Sequence, residues 1–124
     1  MDPNPTAPTW TQEQLLGLGR AFQETRILLT GAELDLFTLL TPAPLSAADV
    51  AARLGADLRA LTILLDALAA MGLLVKREDA YQTEPSASEN LARGRPGSVL
   101  PMLLHSAHLW RVGTSNRISA SPFE

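Results

Sequence analysis

The chain has 124 residues, of which 46% are hydrophobic and 19% charged, a composition that indicates one folded domain rather than a disordered segment. Its formal net charge of −3 provides no long-range attraction for nucleic acid or for an anionic membrane surface. Because the sequence contains no cysteine, it fits a reducing compartment, and we expect a cytoplasmic location.

A flexible segment, residues 1–10, is predicted before the first helix. Its first residues have no basic stretch and no apolar core, so we expect no signal peptide. The helix itself should begin at about Thr11, because Thr11 and Gln14 have the spacing of a capping box and Trp10 is placed to pack on Leu15.

Apolar residues follow this first helix on two stripes rather than one. The first stripe consists of Leu15, Leu18, Phe22 and Leu29, and the second of Leu16, Ile27 and Leu28. One stripe can face the domain's own core, so the other requires a further surface. Thr30 and Gly31 predict a break, followed by a shorter helix from Ala32 to Leu40 that ends before Pro42.

A helix-turn-helix is predicted next. Ser46 and Asp49 have capping-box spacing for a helix that ends near Leu54, Gly55 is suited to a turn with positive φ, and Asp57 can cap the following helix. The buried face predicted for that second helix, which extends to Gly72, is formed by Leu58, Leu61, Leu65 and Leu68. The apolar stretch 58–75 is no membrane span, because Arg59 and Asp66 interrupt it.

A small β-hairpin should complete a winged helix. Residues 73–77 and 81–83 have strand character, and the polar residues 78–80 would form the tip. Residues 86–96 indicate a loop with at most one helical turn. A last helix should then begin at Gly97 or Ser98, with Val99, Leu103, Ala107 and Trp110 on one face and Leu100 and Leu104 on a neighbouring one. From Val112 onward the chain lacks periodicity, and we expect residues 113–124 to form a frayed tail.

DNA binding is the first function to test for a helix-turn-helix, and the charges oppose it. Residues 45–85 contain four basic side chains (Arg53, Arg59, Lys76, Arg77) and six acidic ones (Asp49, Asp57, Asp66, Glu78, Asp79, Glu84), a balance of −2. Phosphate would therefore be repelled. The exposed start of the second helix also offers only one plausible base reader, Arg59, between Asp57 and Thr62.

No catalytic or metal site is evident from the residue pattern. His105 and His108 have the spacing of neighbours on one helix face, but no carboxylate or cysteine nearby in the sequence completes a metal ligand set. Asp49 and Asp66 are better interpreted as a cap and a satisfied surface carboxylate than as general bases. Gly17 and Gly19 lie inside an amphipathic helix, with Phe22 where a nucleotide-binding turn would need glycine.

Four segments resemble the N-terminal dimerisation domain of S-adenosylmethionine-dependent O-methyltransferases. They are residues 27–37 (ILLTGAELDLF), 45–55 (LSAADVAARLG), 65–74 (LDALAAMGLL), and 102–105 (MLLH) with 108–110 (HLW). The resemblance covers most of residues 11–112 and implies a mainly α fold: a winged helix whose additional N- and C-terminal helices interlock with a second copy. It also implies a Rossmann-like catalytic domain that binds S-adenosylmethionine and follows where the tail 113–124 begins.

The resemblance and the two apolar stripes together predict a homodimer. We expect an obligate interface of more than about 2,000 Å². Its predicted residues lie on the first and last helices: Leu15, Leu18, Phe22, Leu29, Leu100, Leu103 and Leu104. By the same resemblance, His105, His108 and Trp110 are candidates for a substrate pocket that takes a small-molecule acceptor only together with the catalytic domain, although packing is the simpler interpretation.

The sequence ends at Glu124, about where a linker to that catalytic domain would begin. As an isolated chain it is therefore expected to bind no cofactor and to be catalytically inert, as a truncation, a frameshift product or a separate domain. The alternative that remains open is a stand-alone winged-helix transcriptional regulator that binds DNA.

Overall fold

A computed structural model describes the backbone of residues 9–119 and the side chains of residues 9–112. The elements are α1 (Gln12–Glu33), α2 (Leu36–Leu39), β1 (Leu45–Ser46), α3 (Ala47–Leu54), α4 (Leu58–Ala70), β2 (Leu74–Arg77), β3 (Ala80–Thr83), α5 (Pro85–Leu91) and α6 (Leu100–Ser119). Most of the predicted N-terminal segment and the last five residues of the predicted tail lie outside the described residues.

The start of α1 confirms the predicted capping box. The Thr11 hydroxyl accepts a hydrogen bond from the backbone N–H of Gln14 (3.1 Å), and the Gln14 side chain accepts one from the backbone N–H of Thr11 (3.0 Å). Both bonds satisfy N–H groups that have no partner within the helix.

The predicted break at Thr30 and Gly31 is wrong, because α1 continues to Glu33. A Cβ atom on Gly31 would lie 3.2 Å from side-chain atoms of Leu68 and Phe37. Gly31 therefore permits close packing inside a continuous helix. The chain turns instead at Asp35, whose φ of 56° is in the left-handed region.

The helix-turn-helix is confirmed, together with the N-terminal cap of each helix and the glycine of the turn. The Ser46 hydroxyl accepts from the backbone N–H of Asp49 (3.1 Å) at the start of α3. Gly55 has a φ of 64°, and the Asp57 carboxylate accepts from the backbone N–H of Ala60 (2.8 Å) at the start of α4. These caps fix where both helices begin and where the turn between them lies.

The hairpin is present, and a third strand joins it. Strands β2 and β3 pair antiparallel, and a two-residue turn joins them, with Glu78 at a φ of 56°. The sequence predicted a three-residue tip, but Ala80 belongs to β3 and pairs with Arg77. β1 pairs antiparallel with β3 through Leu45 and Tyr81, so the strand order is β1-β3-β2.

Three predictions for the C-terminal third need correction. The stretch predicted as a loop contains the seven-residue helix α5, which Glu84 caps by accepting from the backbone N–H of Ala87 (2.9 Å). Pro85 suits the first helical position, where no N–H is needed. Helix α6 starts at Leu100 rather than at Gly97 or Ser98, and it continues to Ser119, so residues 113–119 are helical rather than frayed.

The core lies where α1, α2 and α4 meet the sheet. Its largest fully buried side chains include Phe37, Leu65, Leu68 and Tyr81. Leu61 of the predicted α4 face is buried as well, but Leu58 is 49% exposed, because it occupies the first turn of α4, beyond the core. In the part of the chain that the structure describes, no helix has both the length and the apolarity needed to cross a membrane.

Candidate functional site

The N-terminal part of α1 extends away from the core. All residues from 9 to 25 are exposed, on every side of the helix. We call residues 12–25 the arm, and at 1.5 Å per residue it is about 21 Å long. Large apolar side chains on or next to the arm are each more than half exposed: Trp10, Leu15, Leu16, Leu18 and Phe22.

Sequence propensity gives the arm only weak stability as a helix. It contains Gly17 and Gly19, and each glycine costs about 1 kcal/mol relative to alanine in a helix interior. Isolated helices of this length are marginal in water even when they are rich in alanine. Nothing lies within 4 Å of the Cβ position of either glycine. The arm is therefore a weak helix by its sequence, and it remains exposed in the described protomer.

The seven predicted interface residues fall into three groups. Leu15, Leu18 and Phe22 lie on the arm and are exposed. Leu103 and Leu104 are half-buried against the protomer's own core. The remaining two, Leu29 (4% exposed) and Leu100 (2% exposed), are buried within the protomer and offer almost no surface to a partner.

The exposed apolar face of α6 differs from the predicted one. Apart from Trp110, its most exposed apolar side chains are Met102, Leu109 and Val112. At 100° per residue these three share one face of the helix, opposite the fully buried Ala107. The helical period alone identifies this face, but only the packing of α6 shows which face is turned outward.

Helix α6 packs against the C-terminal half of α1 through two side-chain contacts. The Arg26 guanidinium lies 6.0 Å from the centre of the Trp110 ring, within cation–π range. Two turns of α1 further along, the Glu33 carboxylate pairs with Arg111 at 3.0 Å. Because both α1 residues lie beyond the arm, these contacts orient α6 and leave the arm uncovered.

The candidate pocket residues share only part of one surface. His105 and His108 are exposed and lie about 60° apart around α6, whereas Trp110 is at least about 140° from both, lies near Arg26 and is 50% exposed. Within the described residues, no three His, Cys, Asp or Glu side chains lie close enough together to hold a metal ion.

Asp66 serves to hold the hairpin, in agreement with its interpretation as a satisfied carboxylate. Its carboxylate accepts a hydrogen bond from the Tyr81 hydroxyl (2.5 Å) and pairs with Lys76 (2.9 Å). These hydrogen bonds, with that of Tyr81 first, hold the pKa of Asp66 below its ordinary value. Burial raises the pKa of the Tyr81 hydroxyl. A carboxylate with a lowered pKa is a poor general base near neutral pH.

The winged unit is also poorly suited to hold DNA. Lys76, one of its four basic residues, is already paired with Asp66, and Thr62 donates its hydroxyl hydrogen to the Leu58 carbonyl within the helix. Arg59 remains exposed at the start of α4, beside the capping carboxylate of Asp57. The geometry therefore adds no phosphate-binding groups to the unfavourable charge balance.

The fold and the exposed arm together define a class of protein: a winged-helix domain built to associate with another chain. The O-methyltransferase dimerisation domain family matches residues 17–93. The chain belongs to this family.

Individual relatives and solved structures agree with the family. The chain is 43% identical over 86 residues to the tetracenomycin polyketide synthesis 8-O-methyl transferase TcmO of Streptomyces glaucescens, covering 68% of this chain and 25% of that protein. It is 33% identical over 114 residues to the N,N-dimethyltransferase OxyT of Streptomyces rimosus, covering 89% of this chain and 33% of that protein. These relatives are methyltransferases and not DNA-binding regulators, which disfavours the alternative function.

Two solved structures share the fold. An O-methyltransferase family protein from Burkholderia thailandensis superposes with a TM-score of 0.77 at 26% identity, over 91% of this chain and 33% of that chain. Human N-acetylserotonin methyltransferase, solved in complex with SAM, superposes with a TM-score of 0.70 at 26% identity, over 84% of this chain and 32% of that chain. The chain thus spans between a quarter and a third of the length of these four proteins.

Proposed function

We propose that this chain is the dimerisation part of an S-adenosylmethionine-dependent O-methyltransferase and that it pairs with a second copy of itself through the arm. The observation that carries the proposal is the arm itself. Its whole circumference is exposed, it displays Leu15, Leu18 and Phe22 on one stripe, and its two glycines make it a weak helix when alone.

A second copy is the partner that fits this surface best. Leu15, Leu18 and Phe22 lie within about 60° of one another around the helix, so they form one continuous apolar stripe. In a dimer with a two-fold axis, both copies use the same surface patch, so the stripe of one copy can pack on the identical stripe of the other. Contiguous exposed apolar surface of this kind is typical of protein interfaces. Membership of a dimerisation-domain family supports the same arrangement.

The exposed side of α6 is assigned a different role in this proposal. His105 and His108, with Trp110 at the edge, would face the catalytic domain and support the pocket of a small-molecule acceptor. The attachment of α6 to α1 through Arg26 and Glu33 supports this role, because it links the pairing helix rigidly to the helix that would support the pocket.

The cofactor belongs to the catalytic domain in this proposal. Gly17 and Gly19, the one pair of glycines two residues apart in the arm, lie in mid-helix rather than in a turn between a strand and a helix. The described sheet is antiparallel and has three short strands. The described residues therefore do not fit an S-adenosylmethionine site of the Rossmann kind. The cytoplasmic location remains a prediction that rests on the cysteine-free sequence.

A spin-label experiment tests the pairing. The sequence has no cysteine, so Glu24→Cys creates a single labelling site on an exposed, polar position of the arm. Double electron–electron resonance on the labelled chain should give one defined distance between the labels of two protomers. An excess of unlabelled chain should abolish this signal, because each labelled arm then meets an unlabelled one.

The matched control carries its label away from the arm, at Arg53→Cys on α3. It should also show a defined distance in the dimer, and that distance should disappear when Phe22→Asp is added, since the new charge cannot be buried in an apolar interface. Absence of any dipolar signal in the Glu24→Cys chain would refute pairing through the arm.

A further inference from the structure

A concave site lies on the side of the hairpin that faces away from the core. Residues alternate along each strand, so Lys76 and Tyr81 point toward Asp66 while Val75 and Arg77 point to the opposite side. Helix α5 begins directly after β3 and forms the facing wall through Ser88. The groove between them has a volume of about 490 Å³, within the usual range for small-molecule sites.

The hydroxyl groups at the base of this groove form hydrogen bonds in which each donor and acceptor can be assigned. The Phe37 carbonyl accepts hydrogen bonds from Thr41 (2.5 Å) and from Thr83 (2.9 Å). Because the single hydroxyl hydrogen of Thr41 is used there, Ser88 must donate the bond that joins the Thr41 and Ser88 hydroxyls at 2.9 Å. Ser88 is 6% exposed, and its oxygen keeps lone pairs that can accept a further hydrogen bond.

Gln82 provides a second acceptor at the base. One of its two side-chain N–H groups donates to the Thr41 carbonyl (3.2 Å), so the amide oxygen and the second N–H of Gln82 remain available. The base of the groove therefore calls for a ligand that carries hydrogen-bond donors, such as a hydroxyl or an amine.

The rim of the groove, in contrast to the acceptors at its base, carries positively charged donors. Arg95 is paired with Glu89 at 3.1 Å, whereas no ion pair of Arg77 is found within the described part of the chain. The ionisable residues that line the groove are Arg77, Arg95 and Glu89. The groove therefore has a net charge of +1, whereas the whole chain has a net charge of −3. The carboxylates of the hairpin turn follow Arg77 in sequence but do not line the groove.

We propose that this groove binds an organic anion with an apolar body, whose acid group meets Arg77 at the rim and whose hydroxyl or amine donor meets Ser88 at the base. Between the two polar ends, the walls are formed by Val75, Ala80 and proline side chains, which suit a flat apolar body. The guanidinium fork of Arg77 suits a carboxylate, with which it can form two parallel hydrogen bonds. This site shares no residue with the arm, so it does not depend on the proposed pairing.

The test uses 6-hydroxy-2-naphthoate as the probe and backbone amide NMR spectra of the ¹⁵N-labelled chain. Chemical shift changes should centre on residues 75–82 and 85–89. The variant Arg77→Ala should lower the affinity about tenfold, as expected for the loss of a hydrogen bond to a charged group. The same fold-change is expected when the probe is replaced by naphthalen-2-ol, which lacks the acid.

Two controls keep the result specific. Arg59→Ala removes another exposed arginine, which lies outside the groove, and should leave the affinity unchanged. Phe22→Ala, on the arm, should also bind the probe normally, so that a failure of pairing and a failure of this site are distinguishable. Equal affinity in Arg77→Ala and in the wild type would overturn the proposal, as would shift changes that centre on residues 12–25 or an absence of binding.

Discussion

Truncation of Phe22 should weaken the association of two chains by an amount that the structure allows us to estimate. Phe22 is 56% exposed in the protomer. Full burial of such a side chain contributes about 1.5–3 kcal/mol, so covering the exposed part contributes about 0.8–1.7 kcal/mol per protomer. Both copies lose this contribution in Phe22→Ala, which gives about 1.7–3.4 kcal/mol, or a dissociation constant raised about 15- to 300-fold.

Sedimentation equilibrium over a range of concentrations measures this dissociation constant directly. The matched control is Ile63→Ala on α4, because Ile63 is 63% exposed but lies far along the chain from the arm. If exposed apolar area of any kind drove the association, the two variants would weaken it equally. Equal dissociation constants for Phe22→Ala and Ile63→Ala would therefore refute pairing through the arm.

Three further predictions concern stability. Gly17→Ala should raise the melting temperature, because nothing lies within 4 Å of the new methyl group and alanine favours the helix. Gly31→Ala should lower the melting temperature, because its methyl group would be forced against the fully buried Phe37 and Leu68. Calorimetry of both variants checks the pair. Leu65→Ala should reduce the free energy of unfolding by about 2–5 kcal/mol in urea titrations, and a loss below about 1 kcal/mol would contradict a close-packed core around α4. Because the pKa of Asp66 is lowered in the folded chain, its contribution is present above its ordinary value of 3.8 and is lost as the pH falls further. Asp66→Asn should therefore lower the urea midpoint at pH 7 and flatten its decline below pH 4 (about the ordinary value), whereas parallel pH profiles would show that Asp66 makes no such contribution.

Local signals in the sequence were sufficient to predict where α1, α3 and α4 begin. Thr11, Ser46 and Asp57 each cap a helix as predicted, because a cap depends only on residues within one turn of it. Gly55 is equally local, since its positive φ follows from its place between two helical patterns. The cap of α5 by Glu84 was also readable in the sequence, with Pro85 directly after it, but the surrounding polar residues suggested a loop.

Features that depend on distant contacts were not predictable. The role of Gly31 is set by Phe37 and Leu68, which reach it only in the folded chain. Strand β1 has two residues, too few for an alternating pattern, and it exists because β3 offers a partner. The stripe on α1 illustrates the same limit for the site, since Leu18 and Leu29 share one helix face but only Leu29 is covered by the protomer.

Amide hydrogen exchange of residues 12–25 tests the central claim most directly. If a second copy covers the arm, its amides should be protected, and their protection should rise with chain concentration, because the cover is lost on dissociation. With two glycines and no cover from its own protomer, the arm of a monomer should exchange its amides faster than the buried helices do. Rapid exchange of the arm at every concentration, while α4 remains protected, would contradict the account.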